Sequence, residues 1–381
     1  MSGSHSYDPA ARRDTPLARL LRQRIKEGGP IAVADYVDAC LRDDEHGYYT
    51  SKVAIGRDAD FTTAPEISQV FGELIGIWVA LVWQQCNQPA RLHVVELGPG
   101  RGTMMADMLR AIRNVPDLVP ALSVHLVDTN AQLRRTQLER LADASCPVHQ
   151  YASTQAFREH AVERSGSQQE LWLVIGNEFL DAIGISQLVS HEGQWHTRIV
   201  TLDDNDDLAF GIGEPAAQGS VPPDLQPGAA SIFEFNPSLG TECATLLADL
   251  NRCGSVAALF IDYGHEQSAV GETLQAVRAH AYEDPLTSPG EADLTAQVDF
   301  ADVAAQFAQV GLLTDGPIVQ AEFLGRLGIV ERTSRLMHAN SASAASLEAA
   351  TLRLLAPNGM GTRFKAIGAR SRDLAPLPCF A

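Results

Sequence analysis

The ten residues Val94-Val95-Glu96-Leu97-Gly98-Pro99-Gly100-Arg101-Gly102-Thr103 decide the fold. An apolar run ends in an acid, three glycines alternate with other residues, and a helical pattern begins directly afterwards. A strand, a tight turn and a helix start in this order are typical of the place where an open α/β sheet binds a nucleotide-like ligand. Glycine is required there because a side chain would block the ligand or forbid the backbone angles. A turn that only packs a helix against a strand is the alternative interpretation.

The acid before the glycines indicates which ligand the turn accepts. The carboxylate of Glu96 would repel a pyrophosphate, but it suits a cofactor that carries an ammonium group, such as S-adenosyl-L-methionine. The spacing also departs from the G-x-G-x-x-G pattern of dinucleotide sites, because Thr103 follows Gly102. The turn therefore favours S-adenosyl-L-methionine over NAD, and an NAD-dependent oxidoreductase stays a rival class.

Length and charge restrict the class of protein. The 381 residues are enough for two ordinary domains, or for one domain with large additions. The 47 acidic and 29 basic residues give a formal net charge of −18, which argues against nucleic acid as a partner. The six cysteines are scattered, so no metal site is expected. Neither a membrane helix nor a signal peptide is recognisable, and we expect a cytoplasmic protein without membrane insertion.

Hydrophobic periodicity predicts an α/β fold with additions. A long helix is expected from Pro65 to about Gln85, because its apolar residues recur at three and four. From Leu92 strands and helices alternate, which specifies a parallel sheet covered by helices. The expected division of the chain is a disordered tail (1–15), an N-terminal helical cap (16–90), the core (91–186 and 230–381), an inserted β-hairpin and loop region (187–229) and a lid-like loop within the core (264–298).

Acidic residues follow three of the predicted strands, at the edge of the sheet where ligands bind. Asp128 can take both ribose hydroxyls of an adenosine, or it can cap the following helix. The run Asn177-Glu178-Phe179-Leu180-Asp181 carries two carboxylates that can clamp a guanidinium or accept a proton, or merely favour a helix N-terminus. Asp262 and His265 can serve as base and orienter, although a lone histidine is more often structural.

A second turn leads into the long helix. Thr62-Thr63-Ala64-Pro65-Glu66 places Pro65 at the first helical position. Free N–H groups at such a helix start attract an anion, such as the methionine carboxylate of the cofactor. Helix capping alone explains the same residues equally well.

Eight segments together resemble one known family. They are GPIAVADYV (29–37), GYY (47–49), DFTTAPEISQVFGELIGIW (60–78), VELGPGRGTMMADMLR (95–110), NEFLDAI (177–183), FIDYGH (260–265), PGEADLTAQVDF (289–300) and MGTRFKAIG (360–368). They are similar to the MidA-type proteins, class I S-adenosyl-L-methionine-dependent methyltransferases. The mitochondrial members of that family are complex I assembly factors that symmetrically dimethylate an arginine of a complex I subunit.

The resemblance implies a class I, Rossmann-like methyltransferase fold with a seven-stranded, mostly parallel sheet of order 3-2-1-4-5-7-6. It assigns cofactor binding to Asp60, Phe61, Thr62, Pro65, Glu96, Gly98, Gly100, Gly102, Asp128 and Asn177. The chain departs from the family at Ala59, where glycine is usual, and at Ile183-Gly184, where Leu-Pro is usual. These departures concern the loop over the cofactor and the wall of the substrate pocket.

The expected reaction is in-line attack of an arginine nitrogen on the sulfonium methyl. Glu178 and Asp181 would bind the guanidinium, and Asp262 or His265 would help to remove its proton.

The expected partner is a protein that bears an arginine, and a homodimer is possible for the oligomeric state. A eukaryotic member would lie in the mitochondrial matrix. The rival functions are a small-molecule methyltransferase of the same fold and a non-catalytic assembly module that binds the cofactor.

Overall fold

The computed structural model describes residues 8, 10–51, 63–164, 170–217, 221–222, 225–228 and 230–380. Its strands are β1 (Ile31–Ala32), β2 (Arg91–Leu97), β3 (Leu122–Val127), β4 (Val148–Tyr151), β5 (Glu170–Asn177), β6 (Ser186–His191), β7 (Gln194–Leu202), β8 (Leu208–Pro215), β9 (Ile232–Phe235), β10 (Ser255–His265), β11 (Gln275–Arg278), β12 (Ala281–Glu283), β13 (Asp293–Thr295), β14 (Val298–Asp299), β15 (Leu313–Val319) and β16 (Phe364–Arg370). Its α-helices are α1 (Pro16–Gly28), α2 (Val33–Arg42), α3 (Tyr48–Ser51), α4 (Ala64–Ile67), α5 (Gln69–Gln85), α6 (Thr103–Ile112), α7 (Ala131–Arg140), α8 (Thr154–Arg164), α9 (Pro237–Leu239), α10 (Thr245–Cys253), α11 (Phe300–Gln309), α12 (Gln320–Arg326), α13 (Ile329–Ala339) and α14 (Ala344–Leu355).

A central sheet of eight strands is formed by the described residues. Its main path has the order β15-β16-β10-β5-β2-β3-β4, and the two-residue strand β14 pairs in parallel with β10. The strands from β10 to β4 are parallel, whereas β16 is antiparallel to both of its neighbours. Numbered along the chain without β14, this is the predicted order 3-2-1-4-5-7-6. The predicted count of seven omits β14, which is too short to leave a hydrophobic pattern.

The middle of this sheet is buried on both faces. Every residue of β5 is buried, as expected for a parallel strand covered by helices on both sides. Leu173 and Ile175 join a hydrophobic cluster with α5 and α6, whereas Trp172 and Val174 face a second cluster with α8, α10 and α11. The predicted α/β class is therefore confirmed by the packing as well as by the strand order.

The predicted N-terminal cap, 16–90, divides into two parts with different neighbours. α5 belongs to the core, because its buried residues share one hydrophobic cluster with the central sheet. The helix predicted from Pro65 is interrupted at Ser68, whose backbone is extended and whose hydroxyl accepts from the Val70 N–H to cap α5. α1 and α2 pack elsewhere, against the inserted strands.

The inserted region forms a five-stranded antiparallel sheet of order β1-β7-β6-β9, with β8 paired to β7. It is larger than the predicted 187–229. β1 comes from the N-terminal segment, and β9, which the pattern placed in the core, pairs with β6. A periodic pattern identifies a strand but not its partner, so these pairings were not foreseeable from local sequence.

The segment 264–298 is not the predicted lid-like loop. It contains the three-stranded antiparallel sheet β12-β11-β13, called the accessory sheet below. Its buried residues, such as Ala276 and Leu294, share a third hydrophobic cluster with α1 and α2. Strands of three or four residues are too short for alternation to stand out among polar neighbours.

The sequence pattern also missed four elements of the core, α8, α11, α12 and β15. β15 is an edge strand that contains Pro317 and an irregular register between Asp315 and Ile318. Proline inside an apolar run argues against a strand, so the local pattern is misleading there.

The predicted disordered tail, 1–15, is described only in part. The Arg13 N–H donates to the Thr287 carbonyl oxygen at 2.8 Å, and the Thr15 hydroxyl caps α1 by accepting from the Ala18 N–H. Residues 1–7 and 9 lie outside the described residues. In the part of the chain that the structure describes, no helix has both the length and the apolar composition needed to cross a bilayer.

Candidate functional site

A cavity of about 730 Å³ lies at the carboxyl edge of the central sheet. One side is lined by Gly98, Gly100 and Asp128, which follow β2 and β3. The other side carries the carboxyl groups of Glu178 and Asp181, which follow β5. The cavity thus brings together motifs that lie far apart in the chain, at the edge where open α/β sheets bind ligands.

The glycine turn has the backbone geometry that its sequence predicts. Gly98, Gly100 and Gly102 have positive φ angles of 63°, 52° and 74°. A Cβ atom at Gly98 would lie only 3.1 Å from Cδ2 of Phe179, in addition to the backbone strain. The turn therefore exposes backbone to the cavity where any other residue would place a side chain.

Glu96 is a buried carboxyl with an unused oxygen. It is 2% exposed, and its Oε2 has no hydrogen-bond partner among the described residues. Burial, and secondarily the charge of Asp128, raises the pKa of Glu96 to about 8. Glu96 is not in the lining of the cavity. An unsatisfied buried carboxyl oxygen is costly, so a ligand donor that reached it would be bound favourably.

Asp128 is not the cap of the following helix, because Asn130 caps α7. Its Oδ1 accepts from the Asn130 N–H at 2.9 Å, and its Oδ2 accepts from Gln137 Nε2 at 2.8 Å. Burial raises the pKa of Asp128 to about 6, against the opposing effect of these hydrogen bonds. Each oxygen keeps a second lone pair, and Asp128 lines the cavity, so it can still accept hydrogen bonds from a ligand there.

Gln137 is a site residue that the sequence did not reveal. Its side chain is fully buried, and Nε2 donates both to Asp128 and to the Gly100 carbonyl oxygen, the latter at 2.8 Å. This side chain ties the predicted ribose acid to the glycine turn. A glutamine in a polar helix carries no local signal of such a role.

Glu178 lies in a sharp turn directly after β5. Its φ is 50°, which is unusual for a residue other than glycine and is typical of functional sites. Oε1 accepts from the Ala64 N–H at 2.8 Å and from Asn177 Nδ2 at 3.1 Å. Burial raises the pKa of Glu178 to about 7, although these hydrogen bonds and the charge of Arg353 oppose the shift. Among the described residues Oε2 has no hydrogen bond, so it can accept one from a ligand in the cavity.

The turn before α4 contributes differently from the prediction. The Ala64 N–H, predicted to attract the cofactor carboxylate, is occupied by Glu178. Thr63 lines the cavity, but Pro65 and Asn177 do not. Asp60, Phe61 and Thr62 lie outside the described residues.

Asp262 holds the Glu178–Asp181 turn in place. Its Oδ2 accepts from the Leu180 and Asp181 N–H groups at 2.9 and 3.2 Å, and its Oδ1 accepts from the Tyr263 N–H at 2.9 Å. Burial and the charge of Glu178 raise the pKa of Asp262 to about 7. Because Asp262 is 0% exposed and absent from the cavity lining, its position suits support of the turn better than contact with a substrate.

Asp181 faces the cavity among other acids. Burial and the charges of Asp262, Asp293 and Glu178 raise the pKa of its carboxyl well above the usual range. His265 lies outside the cavity lining, and its Nδ1 donates to the Gln267 carbonyl oxygen at 2.7 Å. The structure therefore groups Asp181 with Glu178, but it does not bring His265 into the wall of the cavity.

Asp293 of β13 is a further acid in this wall that the sequence reasoning missed. It is 6% exposed, and its Oδ1 accepts from the Tyr49 hydroxyl at 2.8 Å. Asp293 was not singled out from the sequence because 264–298 was predicted to be a polar loop. The sequence feature that could have identified Asp293 is its position inside PGEADLTAQVDF (289–300), one of the segments on which the family resemblance rests.

The chemistry of the cavity follows from its two sides. A glycine turn with a neighbouring carboxyl suits a nucleoside, and the acids Glu178, Asp181 and Asp293 in the same lining suit a cation with several N–H donors. The arrangement can hold two such groups next to each other.

Comparison with known proteins gives consistent matches. A family model described as "Putative S-adenosyl-L-methionine-dependent methyltransferase" matches residues 74–318. The mitochondrial protein arginine methyltransferase NDUFAF7 homolog of Drosophila melanogaster is 33% identical over 369 residues, which cover 92% of this chain and 83% of that protein. NDUFAF7 of Homo sapiens, also a mitochondrial protein arginine methyltransferase, is 31% identical over 382 residues, with coverage of 95% and 85%.

A solved structure also matches nearly the whole chain. It is a crystal structure of a protein from Burkholderia thailandensis, described as a "likely methyl transferase", bound to S-adenosyl-homocysteine. The TM-score is 0.81 and the sequence identity is 25%, with 98% of each chain covered.

Proposed function

Because the chain belongs to the family of S-adenosyl-L-methionine-dependent methyltransferases, we propose that it transfers the methyl group to an arginine side chain of a protein. The observation that carries this proposal is the joint cavity, whose lining includes Gly98, Gly100 and Asp128 together with the acids Glu178, Asp181 and Asp293. The relatives named protein arginine methyltransferases support the same acceptor.

On the cofactor side, Asp128 would bind the ribose hydroxyls, and the backbone of Gly98 and Gly100 would contact the ligand closely. Glu96 lies behind the cavity lining, and its unused oxygen is the candidate for the ammonium group of the methionine moiety. Asp60, Phe61 and Thr62 stay candidates for covering the cofactor. Gly102 would shape the glycine turn and Pro65 the start of α4. Asn177 would hold Glu178 in position.

On the acceptor side, a guanidinium complements the acids of the cavity wall. It carries one positive charge and five N–H donors in a planar fork, which matches carboxylate pairs. Burial raises the carboxyl pKa of both Glu178 and Asp181, so a bound cation would stabilise their ionised forms. Glu178 would hold the guanidinium and keep its charge away from the attacking nitrogen.

The chemical step needs little more than alignment. The nitrogen–carbon bond forms as the carbon–sulfur bond breaks, and the sulfonium already activates the methyl group. The methylated guanidinium loses one proton. We assign its acceptor to Asp181, because the oxygens of Asp262 are engaged by backbone N–H groups and His265 lies outside the cavity wall.

The test is transfer of labelled methyl groups into an extract of cells that lack this gene. Glu178→Gln should lower the rate at low acceptor concentration by about 100-fold, because it removes a charge that contacts the reacting group. Its affinity for S-adenosyl-homocysteine, measured by calorimetry, should change little. Glu214→Gln is the control, since it makes the same charge change at an exposed residue outside the cavity lining, and it should retain the activity.

The labelled products decide between the rival functions. Methylarginine in hydrolysed protein supports the proposal, and a complex I subunit, expected from the family resemblance, is the first purified acceptor to test. Label that appears only in small molecules would replace the proposal with a small-molecule methyltransferase. Binding of S-adenosyl-homocysteine without any transfer would favour a non-catalytic assembly module.

The named relatives are mitochondrial. For this chain we propose the cytoplasm, or the mitochondrial matrix if its source is a eukaryote. The homodimer stays a prediction.

A further inference from the structure

The accessory sheet forms a wall of the cavity although it lies outside the methyltransferase core. Asp293, Gln275 and Thr295 from this sheet line the cavity, together with Tyr282 of β12. Asp293 is the acidic member of this group and is almost completely buried. A buried carboxylate at a cavity wall is costly unless it is hydrogen-bonded or meets a cation.

Tyr49 is fixed at two points and orients this carboxylate. Its hydroxyl donates to Asp293 Oδ1 at 2.8 Å, and its carbonyl oxygen accepts from Asn130 Nδ2 at 2.6 Å. Asn130 caps α7 beside Asp128, so Tyr49 connects the cofactor side of the cavity to the accessory sheet. Burial raises the pKa of Tyr49 well above its usual range, so its hydroxyl keeps the proton that it donates.

Asp293 also acts on the acids of the core. Its charge is one cause of the raised pKa of Asp181, and the charges of both acids raise the pKa of Tyr49. The carboxyl groups of Asp181 and Asp293 therefore lie within electrostatic range of each other. A cation that enters the cavity beside Asp181 meets the field of Asp293 as well.

We propose that Asp293 is a third acceptor-binding carboxylate, supplied by the accessory sheet, and that Tyr49 is the positioning residue that holds it. The inference rests on the proposed function. A guanidinium has three nitrogen atoms, so Glu178 and Asp181 contact two of them and Asp293 takes the remaining edge. A lysine ammonium carries its three N–H donors on a single nitrogen atom, whereas the guanidinium spreads five donors over a planar fork, so the two cations fit three carboxylates differently.

The experiment measures label transfer as a function of acceptor concentration, with the same cell extract as acceptor. Asp293→Asn should raise the half-saturating acceptor concentration about tenfold or more, because a hydrogen bond to a charged group is lost. Tyr49→Phe should raise it in the same direction by about threefold, since the carboxylate remains but is no longer oriented. The maximal rate and the affinity for S-adenosyl-homocysteine should stay close to those of the unmodified protein in both variants.

Tyr36→Phe is the matched control. Its hydroxyl also joins the N-terminal segment to 264–298, by donating to the Pro285 carbonyl oxygen at 2.7 Å, but it is absent from the cavity lining. It should leave the half-saturating concentration unchanged. If Tyr36→Phe weakens acceptor binding as much as Tyr49→Phe does, both substitutions merely loosen the packing between the N-terminal segment and 264–298. The positioning role of Tyr49 would then be wrong.

Two further outcomes separate this inference from the proposed function. Unchanged acceptor dependence in Asp293→Asn, with active unmodified protein, overturns the role of Asp293 and leaves arginine methylation intact. No transfer to protein arginine by the unmodified chain overturns both proposals. A rise in the half-saturating concentration that is confined to Asp293→Asn and Tyr49→Phe supports the inference.

Discussion

Glu178 is half-buried and Asp262 is fully buried, and the oxygens of the two acids have different hydrogen-bond partners. Both oxygens of Asp262 accept backbone N–H groups, whereas Glu178 uses Oε1 for Ala64 and Asn177 and leaves Oε2 for the cavity. The sequence identified both acids as site candidates. It did not reveal which one supports the turn and which one faces a substrate, because hydrogen-bond partners come from distant segments.

Glu96 gives a prediction about proton release. Its raised pKa, about 8, means that the carboxyl is mostly protonated in the free protein at neutral pH. Binding of the cofactor ammonium requires the carboxylate, so binding should release a proton and should strengthen from about pH 6 to about pH 8. Calorimetry with S-adenosyl-homocysteine in buffers of different ionisation enthalpy measures that proton directly.

The same shift predicts a pH effect on stability. The folded state binds the proton of Glu96 more tightly than the unfolded state, whose pKa is near the usual 4.5. The free energy of unfolding should therefore fall as the pH rises from about 4.5 to about 8. Glu96→Gln should remove the ligand-linked proton release and reduce this slope; part of the slope should remain, because Asp128, Glu178 and Asp262 also have raised pKa values. An identical proton count in Glu96→Gln and the unmodified protein would contradict the assignment.

Among the elements, α5 and α6 pack directly against each other in the core. The sequence predicted α5 as a helix with a broad apolar face, but it did not predict its partner. A Cβ atom at Gly76 would lie 2.6 Å from the Met108 carbonyl oxygen, so the backbones approach as closely as glycine allows. Glycine at position 76 lets α6 pack closely against α5.

Gly76→Ala should therefore destabilise the protein by about 1–3 kcal/mol, because the added carbon overpacks the contact between two backbones. Alanine in a helix is otherwise preferred over glycine, so the sign of the effect is informative. Chemical denaturation followed by circular dichroism measures it.

Gly325→Ala in α12 is the control for this change. A Cβ atom there meets nothing within 4 Å, so the substitution should stabilise the protein by up to about 1 kcal/mol. A destabilisation of equal size at both glycines would refute the explanation by close contact.

At the scale of the whole molecule, the cavity is assembled from three parts of the chain. Tyr49 comes from the N-terminal segment, Asp128 from the core and Asp293 from the accessory sheet. α1 and α2 pack on the inserted and accessory strands in one hydrophobic cluster, which fixes these parts relative to each other. Cofactor binding is therefore expected to stabilise the folded chain as a whole.

S-adenosyl-homocysteine at about 100 times its dissociation constant should raise the free energy of unfolding by about 2.7 kcal/mol. NAD at the same concentration should produce no increase, because Glu96 and the turn spacing disfavour a pyrophosphate. Thermal unfolding in the presence of each ligand measures both effects. A larger increase in unfolding temperature with NAD than with S-adenosyl-homocysteine would favour an oxidoreductase and contradict the assignment of S-adenosyl-L-methionine to this cavity.

The sequence by itself determined the local features of this protein. The glycine turn at Gly98–Gly102, the parallel strands β2, β3 and β5, and the acids at their ends are all recognisable because backbone angles and side-chain periodicity are properties of adjacent residues. The family resemblance added two predictions, the strand order of the central sheet and the identity of the cofactor.

Only the tertiary structure decided which distant groups meet. Gln137 joins Asp128 to the glycine turn, Tyr49 reaches Asp293, and Asp262 is committed to the Glu178–Asp181 turn. Hydrogen bonds and burial arise between residues that are far apart in the chain, such as Tyr49 and Asp293, which are separated by 244 positions. No periodic pattern reports such contacts, because they depend on how whole elements pack rather than on the order of neighbouring side chains.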